Sequence, residues 1–572
     1  MNNDAVARMF SEIADLLEIK SDNPFKIRAY RNAADVIATC PEPVVSFTDA
    51  QLRELGGIGK DLTLKIREIA ATGRLAFHQE LLAEFPPTIL DLLKLQGVGP
   101  KTVALLFSSL NVRSLDDLEA AARAGRLREL RGMGAKKEQL ILKSLEARRQ
   151  HAGRRLLADV ARAATALTDY LQSHAPGAEL QPVGSLRRGQ ETCGDLDILA
   201  SGADAGIMET FIDYPDVERV LGKGDTKSSV LLREGLQADL RVVPTESQGA
   251  AMQYFTGSKS HNIVLRDRAL QRGLKLNEYG LYRISDDHRV AGASEEEIYG
   301  ALGLSWVPPE LRENRGEIEA AESRTLPTLV EPGDLRGDLH MHTTETDGRD
   351  TIEAMLLAAR AAGLEYCAVT DHSQSLAMAN GLDERRALAH AARIRDTASR
   401  IEGVTVFAGI ECDIRPDGTL DLAADCLAAL DLVIASVHSA LNQDDVQMTE
   451  RLLRAIEHPA VDIIGHPTGR LLLRREPCRV RMTQVIDAAA SHAVALEING
   501  QVDRLDLGDS NARLAHNRGV KLVISSDAHG CSAVGQLKWG VVVARRAWLG
   551  AAAVLNTLPV ERFRAALRRN RR

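Results

Sequence analysis

Nowhere in these 572 residues does an apolar run approach the ~20 residues that a helix needs to cross a bilayer, and the opening Met1-Asn2-Asn3-Asp4 lacks a basic segment followed by an apolar core. Both absences exclude a membrane-spanning class and point to a cytoplasmic address. Close-set cysteine pairs are missing as well. The seven cysteines, at 40, 193, 367, 412, 426, 478 and 531, are scattered, which excludes a disulfide framework and a zinc ribbon and leaves reduced thiols. Nor is there an excess of positive charge: the formal net charge is −8, which excludes a uniformly basic nucleic-acid binder. The charge is unevenly spread, however. Residues 121–155 carry eleven Lys and Arg against Glu129, Glu138 and Glu146, a local basic patch. At this length, with 45% hydrophobic residues, a single core is too few and three to five domains are expected.

What is present centres on Gly184-Ser185-Leu186-Arg187-Arg188 and the following Gly194-Asp195-Leu196-Asp197-Ile198-Leu199. Strand side chains alternate faces, so Asp195 and Asp197 share one face of a strand whose other face is apolar. Two adjacent carboxylates repel, and a divalent cation between them relieves that repulsion. The Gly-Ser turn frees backbone N–H groups for an anion, and Arg187 and Arg188 add positive charge. Asp239, within Ala238-Asp239-Leu240-Arg241-Val242-Val243, brings a third acid on a second strand, enough for two metals in an in-line displacement at phosphorus. The bland alternative is that Asp195 and Asp197 only close a surface turn.

These motifs, with Tyr254-Phe255-Thr256-Gly257-Ser258 downstream, resemble the palm and thumb of the family X DNA polymerases, the group that contains polymerase beta. The resemblance implies that Asp195, Asp197 and Asp239 hold Mg²⁺. It also implies that Gly184, Ser185, Arg188, Tyr254, Phe255, Gly257 and Asn262 surround the incoming nucleotide. Upstream, Leu55-Gly56-Gly57-Ile58-Gly59, Leu95-Gln96-Gly97-Val98-Gly99 and Leu130-Arg131-Gly132-Met133-Gly134 repeat Leu-x-Gly-apolar-Gly, each before a helical run with Lys. They resemble helix-hairpin-helix motifs, in which Gly57, Gly59, Gly97, Gly99, Gly132 and Gly134 let backbone amides meet DNA phosphates without sequence preference. Residues 1–85 are similar to the lyase domain of polymerase beta. That similarity places Lys65 where the family has its Schiff-base lysine, although Asp61 replaces a further lysine of the mammalian enzyme; contact with a phosphate, or simple solvation, is the other reading of Lys65.

Beyond a Glu- and Pro-bearing connection at 312–334, seven short apolar runs end in polar residues, with alanine-rich helical stretches between them. Such alternation is the pattern of an α/β barrel with functional groups at the strands' C-terminal ends. His340, His342, His372, His438, His466 and His529 each end a predicted strand. With Asp347, Glu411 and Asp527 they make nine N and O donors and no thiolate, a set suited to Mn²⁺, Zn²⁺ or Fe²⁺. This half resembles the PHP (polymerase and histidinol phosphatase) domain, a distorted (βα)7 barrel with a trinuclear centre, which implies a three-metal cluster of Mn²⁺ or Zn²⁺. Lone histidines such as His78, His261 and His516 are read as structural.

The expected architecture is multidomain: all-α helix-hairpin-helix domains (1–85, lyase-like; 86–153), an α+β nucleotidyltransferase palm (154–245) and thumb (246–318), a linker (319–334) and a (β/α)7 barrel (335–572). The resemblance implies a DNA-directed DNA polymerase filling gaps in repair, with 3'-5' exonuclease, 3'-phosphodiesterase and abasic-site endonuclease chemistry in the barrel. Gapped or nicked DNA and dNTPs are the expected partners of a monomer associated with the nucleoid. Two rivals stay open: a nucleotidyltransferase fused to a small-molecule phosphatase, and a DNA-end scaffold with only the barrel active.

Overall fold

The computed structural model describes residues 3–40, 44–55, 57–86, 88–95, 98–130, 132–150, 153–202 and 206–570. The chain folds as two compact units, Met1–Ala152 and Gly153–Arg572. No helix among the described residues is long and apolar enough to cross a membrane.

The first unit is helical among its described residues. The 3.6-residue spacing of Val6, Phe10, Ile13, Leu16 and Leu17 predicts a buried stripe, and all five are fully buried in the helix Asn3–Ile19, in one cluster with Tyr30, Ala33 and Ile37 of the helix Pro24–Thr39. Asn23 starts that second helix by accepting the N–H of Phe25 at 2.9 Å, with proline at its first position. The described residues of the three Leu-x-Gly-apolar-Gly stretches share one hydrogen bond. Ile58, Val98 and Met133 are buried, and their N–H groups bond to the carbonyls of Leu55, Leu95 and Leu130 at 3.1, 3.1 and 3.0 Å. Each turn feeds a helix, Lys60–Thr72, Pro100–Leu110 or Ala135–Gln150.

The second unit opens with a five-stranded sheet: β1 (Glu179–Pro182), β2 (Asp195–Ser201), β3 (Val217–Gly222), β4 (Lys227–Leu232) and β5 (Gln237–Val243), in the order β1-β2-β5-β4-β3. Only β2 and β5 run parallel. Leu196, Ile198 and Ala200 of β2, with Ala238 and Leu240 of β5, cluster with Val160, Leu167 and Leu171 of the helix Leu157–His174. The opposite face is thereby left to the acids. Helices Gln248–Thr256, Lys259–Gln271 and Glu295–Ala301 follow, with a three-stranded antiparallel sheet of Leu274–Asn277, Gly280–Arg283 and Arg289–Ala291.

The segment 312–334, read as a connection from its composition, is packed in part. Arg312 and Glu317 are fully buried, and Ile318, Ala321 and Leu329 join the apolar cluster of Leu265, Ile298 and Leu311. Among its acids, Glu317 is engaged internally, with His261 at 2.7 Å, whereas Glu319, Glu322 and Glu331 are exposed.

Seven parallel strands then form a barrel: β6 (Gly337–Asp338), β7 (Tyr366–Val369), β8 (Thr405–Asp413), β9 (Leu432–Ser436), β10 (Ile463–Ile464), β11 (Ala495–Asn499) and β12 (Leu522–Ser525). Neighbours in sequence are neighbours in space. A parallel bridge between Met341 and Ala528 joins the two ends, helped by buried Asp338, which accepts the N–H of Ser526 at 3.0 Å. The inner and outer layers are almost wholly apolar, as expected of parallel strands covered by helices.

Candidate active sites

On the exposed face of the palm sheet the register is decisive. Asp197 lies directly opposite Asp239 across the parallel β2–β5 pair, and Asp195 stands two residues earlier on the same face. Burial raises Asp197, and the charges of Asp195 and Asp239 raise it further, to about 6. Burial would also raise Asp239, but the Lys227 ammonium at 2.6 Å and the Gln237 amide at 3.0 Å carry it below its ordinary value. Three carboxyls thus share one face, one raised by burial and by its two neighbours and one ion-paired with Lys227, and carboxylate oxygens are the ligand type that hard divalent cations take. Gly184 makes this possible on the upstream side. At φ +65° a side chain there would place its Cβ 2.8 Å from Asp197 Oδ2, so only glycine lets the turn approach the acids.

Arg187 and Arg188, paired in sequence, diverge in space. Arg187 donates to both oxygens of buried Glu295 at 2.9 Å each, and to Thr256 at 2.7 Å. Glu295 also takes both terminal nitrogens of Arg312, at 2.6 and 3.0 Å. Arg187 therefore ties palm to thumb, and the expectation that it contributes charge to an anion site is corrected. Arg188 donates to Glu313 at 3.0 Å and to the Thr256 carbonyl, and its guanidinium lies 3.1 Å from where a Cβ at Gly257 would stand; Ser185 lies on the same turn, Gly184–Arg187. Phe255 lies under the Arg241 guanidinium, 4.4 Å from the ring centroid, and against Tyr254. Asn262 is held by Gln253 and by the Tyr254 carbonyl, both at 2.7 Å.

The barrel collects all nine of its sequence-predicted donors in one pocket. His342, Asp347, His372 and His529 form one set with atoms within 4.8 Å of one another, His340, His342 and Asp527 a second, and His372, Glu411 and His438 a third. His466 joins through Glu411 at 2.9 Å. Buried ring nitrogens of His340, His342, His372 and His466 and one oxygen of Glu411 lack hydrogen-bond partners among the described residues, which fits donors arranged for cations. Burial alone would lower His372 and His438, yet Glu411 between them lifts them to about 10 and about 9; His342, buried beside His372 and His529, falls to about 4. His466 and Asp527 stand at φ +25° and +51°, a region that costs a non-glycine residue on the order of 1–3 kcal/mol and is held here by surrounding bonds.

Residues that sequence reasoning left outside the site orient these donors. Glu497 accepts from His340 Nδ1 at 2.8 Å and from the His466 N–H at 2.7 Å. Asp413 holds His438 Nδ1 at 2.8 Å, and Asn499 donates to Asp527 at 2.9 Å. Asp371, itself bonded to His390 at 2.7 Å, accepts from Thr343 and Thr346 and so fixes the turn that carries Asp347. The available signal was position: Asp413 and Asn499 are the last residues of β8 and β11, and Glu497 lies two residues before the end of β11. His261 is structural as read, buried between Glu317 and Tyr299.

In the first unit, Gly59, Gly99, Gly132 and Gly134 have open space where a side chain would be, and Gly57 and Gly132 stand at φ +89° and +81°. Gly97 lies outside the described residues. Exposed Lys60, Lys101 and Lys136 occupy the first turns of the three following helices. Within the basic stretch at 121–155, Arg131 and the side chains of Arg148 and Arg149 lie outside what the structure describes, and four other arginines are engaged. Arg123 and Arg128 pair with Glu119 and Glu138, while Arg154 and Arg155, already within the second unit, bond to Thr192 and Glu234 there. Lys65 is ion-paired with Asp61 at 2.5 Å and lies over the Tyr30 and Phe77 rings.

Comparison with known proteins agrees with this division. The family models that match are a helix-hairpin-helix domain (1–75), a SAM-like helix-hairpin-helix tandem (89–147), DNA polymerase beta palm (157–241), DNA polymerase beta thumb (251–313) and PHP domain (338–501). Asp527 and His529 lie beyond the last match and reach the pocket from the end of β12. A probable phosphatase of Thermoanaerobacter sp. (strain X514) is 31% identical over 231 residues, 38% of this chain and 89% of that protein. One from Shewanella sediminis is 30% identical over 232 residues, 39% and 89% respectively. The DNA polymerase/3'-5' exonuclease PolX of Bacillus subtilis is 36% identical over 573 residues, covering 100% of both chains. A likeness that spans both chains end to end and includes palm, thumb and barrel places this chain in the family X DNA polymerases with a C-terminal PHP domain.

Proposed function

We propose that the chain is a DNA-directed DNA polymerase that fills short gaps during base excision repair. On this reading its barrel is a 3'-5' exonuclease and 3'-phosphodiesterase, with abasic-site cleavage as a reaction of the same hydrolytic class. The observation that carries the reading is the juxtaposition of Asp197 and Asp239 across β2 and β5, with Asp195 beside them, next to a glycine turn that only a missing side chain allows.

In the palm, Asp195, Asp197 and Asp239 would hold Mg²⁺; in the barrel, the nine donors would hold a three-metal cluster of Mn²⁺ or Zn²⁺. When bound, the palm cations lower the pKa of the primer 3'-hydroxyl and neutralise the triphosphate, and the barrel cations lower the pKa of a water near the scissile phosphodiester. The chain's own residues do the rest. Gly184, Ser185 and Arg188 orient the triphosphate, Tyr254, Phe255 and Gly257 set the floor for the sugar, and Asn262 faces the base edge. Glu497 and Asp413 fix which nitrogen of His340 and His438 faces the pocket. The hairpins at 57–59, 97–99 and 132–134 grip gapped DNA through backbone amides. The domain bounds given from sequence, a monomeric state, and a cytoplasmic, nucleoid-associated location belong to the same reading.

Metal analysis of the purified chain tests the division of labour. Three equivalents of Mn²⁺ or Zn²⁺ are expected in the wild type, with loss of at least one in His340→Ala/His342→Ala and none in Asp197→Ala. An unchanged metal content in the double variant would overturn the assignment of the barrel donors.

A further inference from the structure

The helix Lys538–Arg546, which follows the last barrel strand, is built against the nucleotide turn of the palm. Its Trp539 and Val542 pack on the palm's apolar cluster. Gly189, one residue past Arg188, stands at φ +64° and admits Val542: a Cβ there would lie 2.3 Å from Val542 Cγ1. The helix ends in Arg546, whose side chain is only 4% exposed. One terminal nitrogen donates to the backbone carbonyl of Arg188 at 2.8 Å and to Glu313 Oε1 at 3.2 Å; the other donates to Asp509 at 2.8 Å. The same Glu313 oxygen accepts Arg188 Nε at 3.0 Å and the Gln190 amide at 2.5 Å. One carboxylate oxygen thus serves Arg188, Gln190 and Arg546 at once.

We infer that Arg546, a residue of the barrel domain, is a positioning residue for nucleotide binding in the palm, because it shares Glu313 with Arg188 and so frees the Arg188 guanidinium to turn to a triphosphate. The inference rests on the reading of Arg188 as a triphosphate-binding residue. Its physical basis is compensation. When Arg188 leaves Glu313, a largely buried carboxylate loses a charged partner, and a group left unpaired in such a place is costly. With Arg546 and Gln190 still on that oxygen, Glu313 keeps a cationic partner when Arg188 turns away, and the bond from Arg188 to the Thr256 carbonyl is the other contact given up. Without Arg546, Glu313 keeps Arg188 as its one cationic partner among the described residues and holds it back. Arg546 also fixes the Arg188 backbone through its carbonyl, so the side chain swings from a rigid base.

The experiment is steady-state incorporation on one gapped DNA substrate by the full-length chain. Arg546→Met should raise the KM for dNTP about tenfold and leave kcat within about twofold, the split expected when ground-state positioning rather than chemistry is lost. Arg546→Lys should recover part of the loss. Glu313→Gln, a conservative change, should lower the KM several-fold on its own, and in combination with Arg546→Met it should bring the KM back toward wild type, since nothing then retains Arg188. A structural role for Arg546 does not produce that rescue. Arg545→Met, on the same helix, removes ion pairs to Glu310 and Glu331 and should leave the KM unchanged. Nuclease activity of each variant serves as the folding control.

Unchanged KM in both Glu313→Gln and Arg546→Met would overturn the inference, as would additive damage in the double variant. Arg188→Ala separates the positioning role from the reading beneath it. If it leaves the KM for dNTP unaltered, the reading of Arg188 itself fails; if it raises the KM while the Arg546 and Glu313 variants do nothing, only the positioning role fails.

Discussion

Replacing Glu295 by Gln should loosen the joint between the nucleotide turn and the thumb. The carboxylate is 4% exposed and receives two nitrogens from Arg187 and two from Arg312, with the Trp306 indole N–H at 3.1 Å. Burial alone would raise its pKa, but Arg312 and Arg187 hold it at about 2, against an ordinary 4.5. That difference corresponds to on the order of 3 kcal/mol of stability in the folded joint. Glutamine keeps the shape but leaves two guanidiniums, one of them fully buried, without a counter-ion, and breaking a buried pair in this way costs about 3–5 kcal/mol. Because the folded pKa is depressed, the contribution is complete above about pH 4.5 and fades as the pH falls toward 2. The wild-type joint should therefore open with acid, whereas the variant is already loosened at neutral pH and responds little to acid in that window.

A multidomain chain has no single unfolding free energy, so the assay must be local. Backbone hydrogen exchange at Ser258, whose N–H bonds to the Arg312 carbonyl at 3.0 Å, and at Gly249 and Ala250, bonded to Ala293 and Gly292, reads the thumb side of the joint around Glu295. Protection there should fall about 10²-fold in Glu295→Gln at pH 7, as expected for a loss near 3 kcal/mol. Amides of β8 and β9 should be unaffected. Equal protection in wild type and variant would refute the claim that the Glu295 cluster holds the thumb side of the joint together.

Glu497→Gln, which withdraws the carboxylate that orients His340 and the His466 backbone, should weaken barrel metal affinity about 10- to 100-fold, checked by competition with a chromogenic chelator. Replacing Lys60, Lys101 and Lys136 by Ser should weaken binding to all duplex sequences alike and flatten the log-log salt dependence by about 0.9 for each phosphate no longer neutralised; an unchanged slope would detach the hairpin helices from the DNA backbone. Borohydride trapping on a 5'-deoxyribose phosphate decides the role of Lys65: an adduct that disappears in Lys65→Ala assigns the Schiff base to it, and one that persists moves the chemistry to another amine such as Lys60.

How far these features are legible in sequence follows from their physics. Asp195 and Asp197 are readable because a period of two is local, and the apolar residues between them declare which face is covered. The barrel is readable because parallel strands buried on both faces appear as unbroken apolar runs, and its donors sit where those runs stop. Asp413 and Glu497 escaped because an acid behind a histidine has the same local context as an acid beside a metal; only the fold tells which way each points. Arg187 and Arg188 are adjacent and look equivalent, yet their partners, Glu295 and Glu313, lie 108 and 125 residues away and send them to different tasks. Composition does not show that Arg312 and Glu317, within 312–334, are matched to buried partners. Nor does it show that Arg123, Arg128, Arg154 and Arg155, within 121–155, are already engaged.

One chain carries two chemically separate centres, a carboxylate site in the palm and a histidine-rich site in the barrel, and every functional reading above depends on that separation. The most direct measurement is nucleotide incorporation on a gapped duplex alongside degradation of a recessed 3' end, with thermal melting as a folding control. Asp197→Ala should lose at least about 10²-fold in incorporation, the scale seen when electrostatic stabilisation of a transition state is withdrawn, and should keep its exonuclease. His340→Ala/His342→Ala should do the reverse. Loss of both activities in either well-folded variant would contradict the separation.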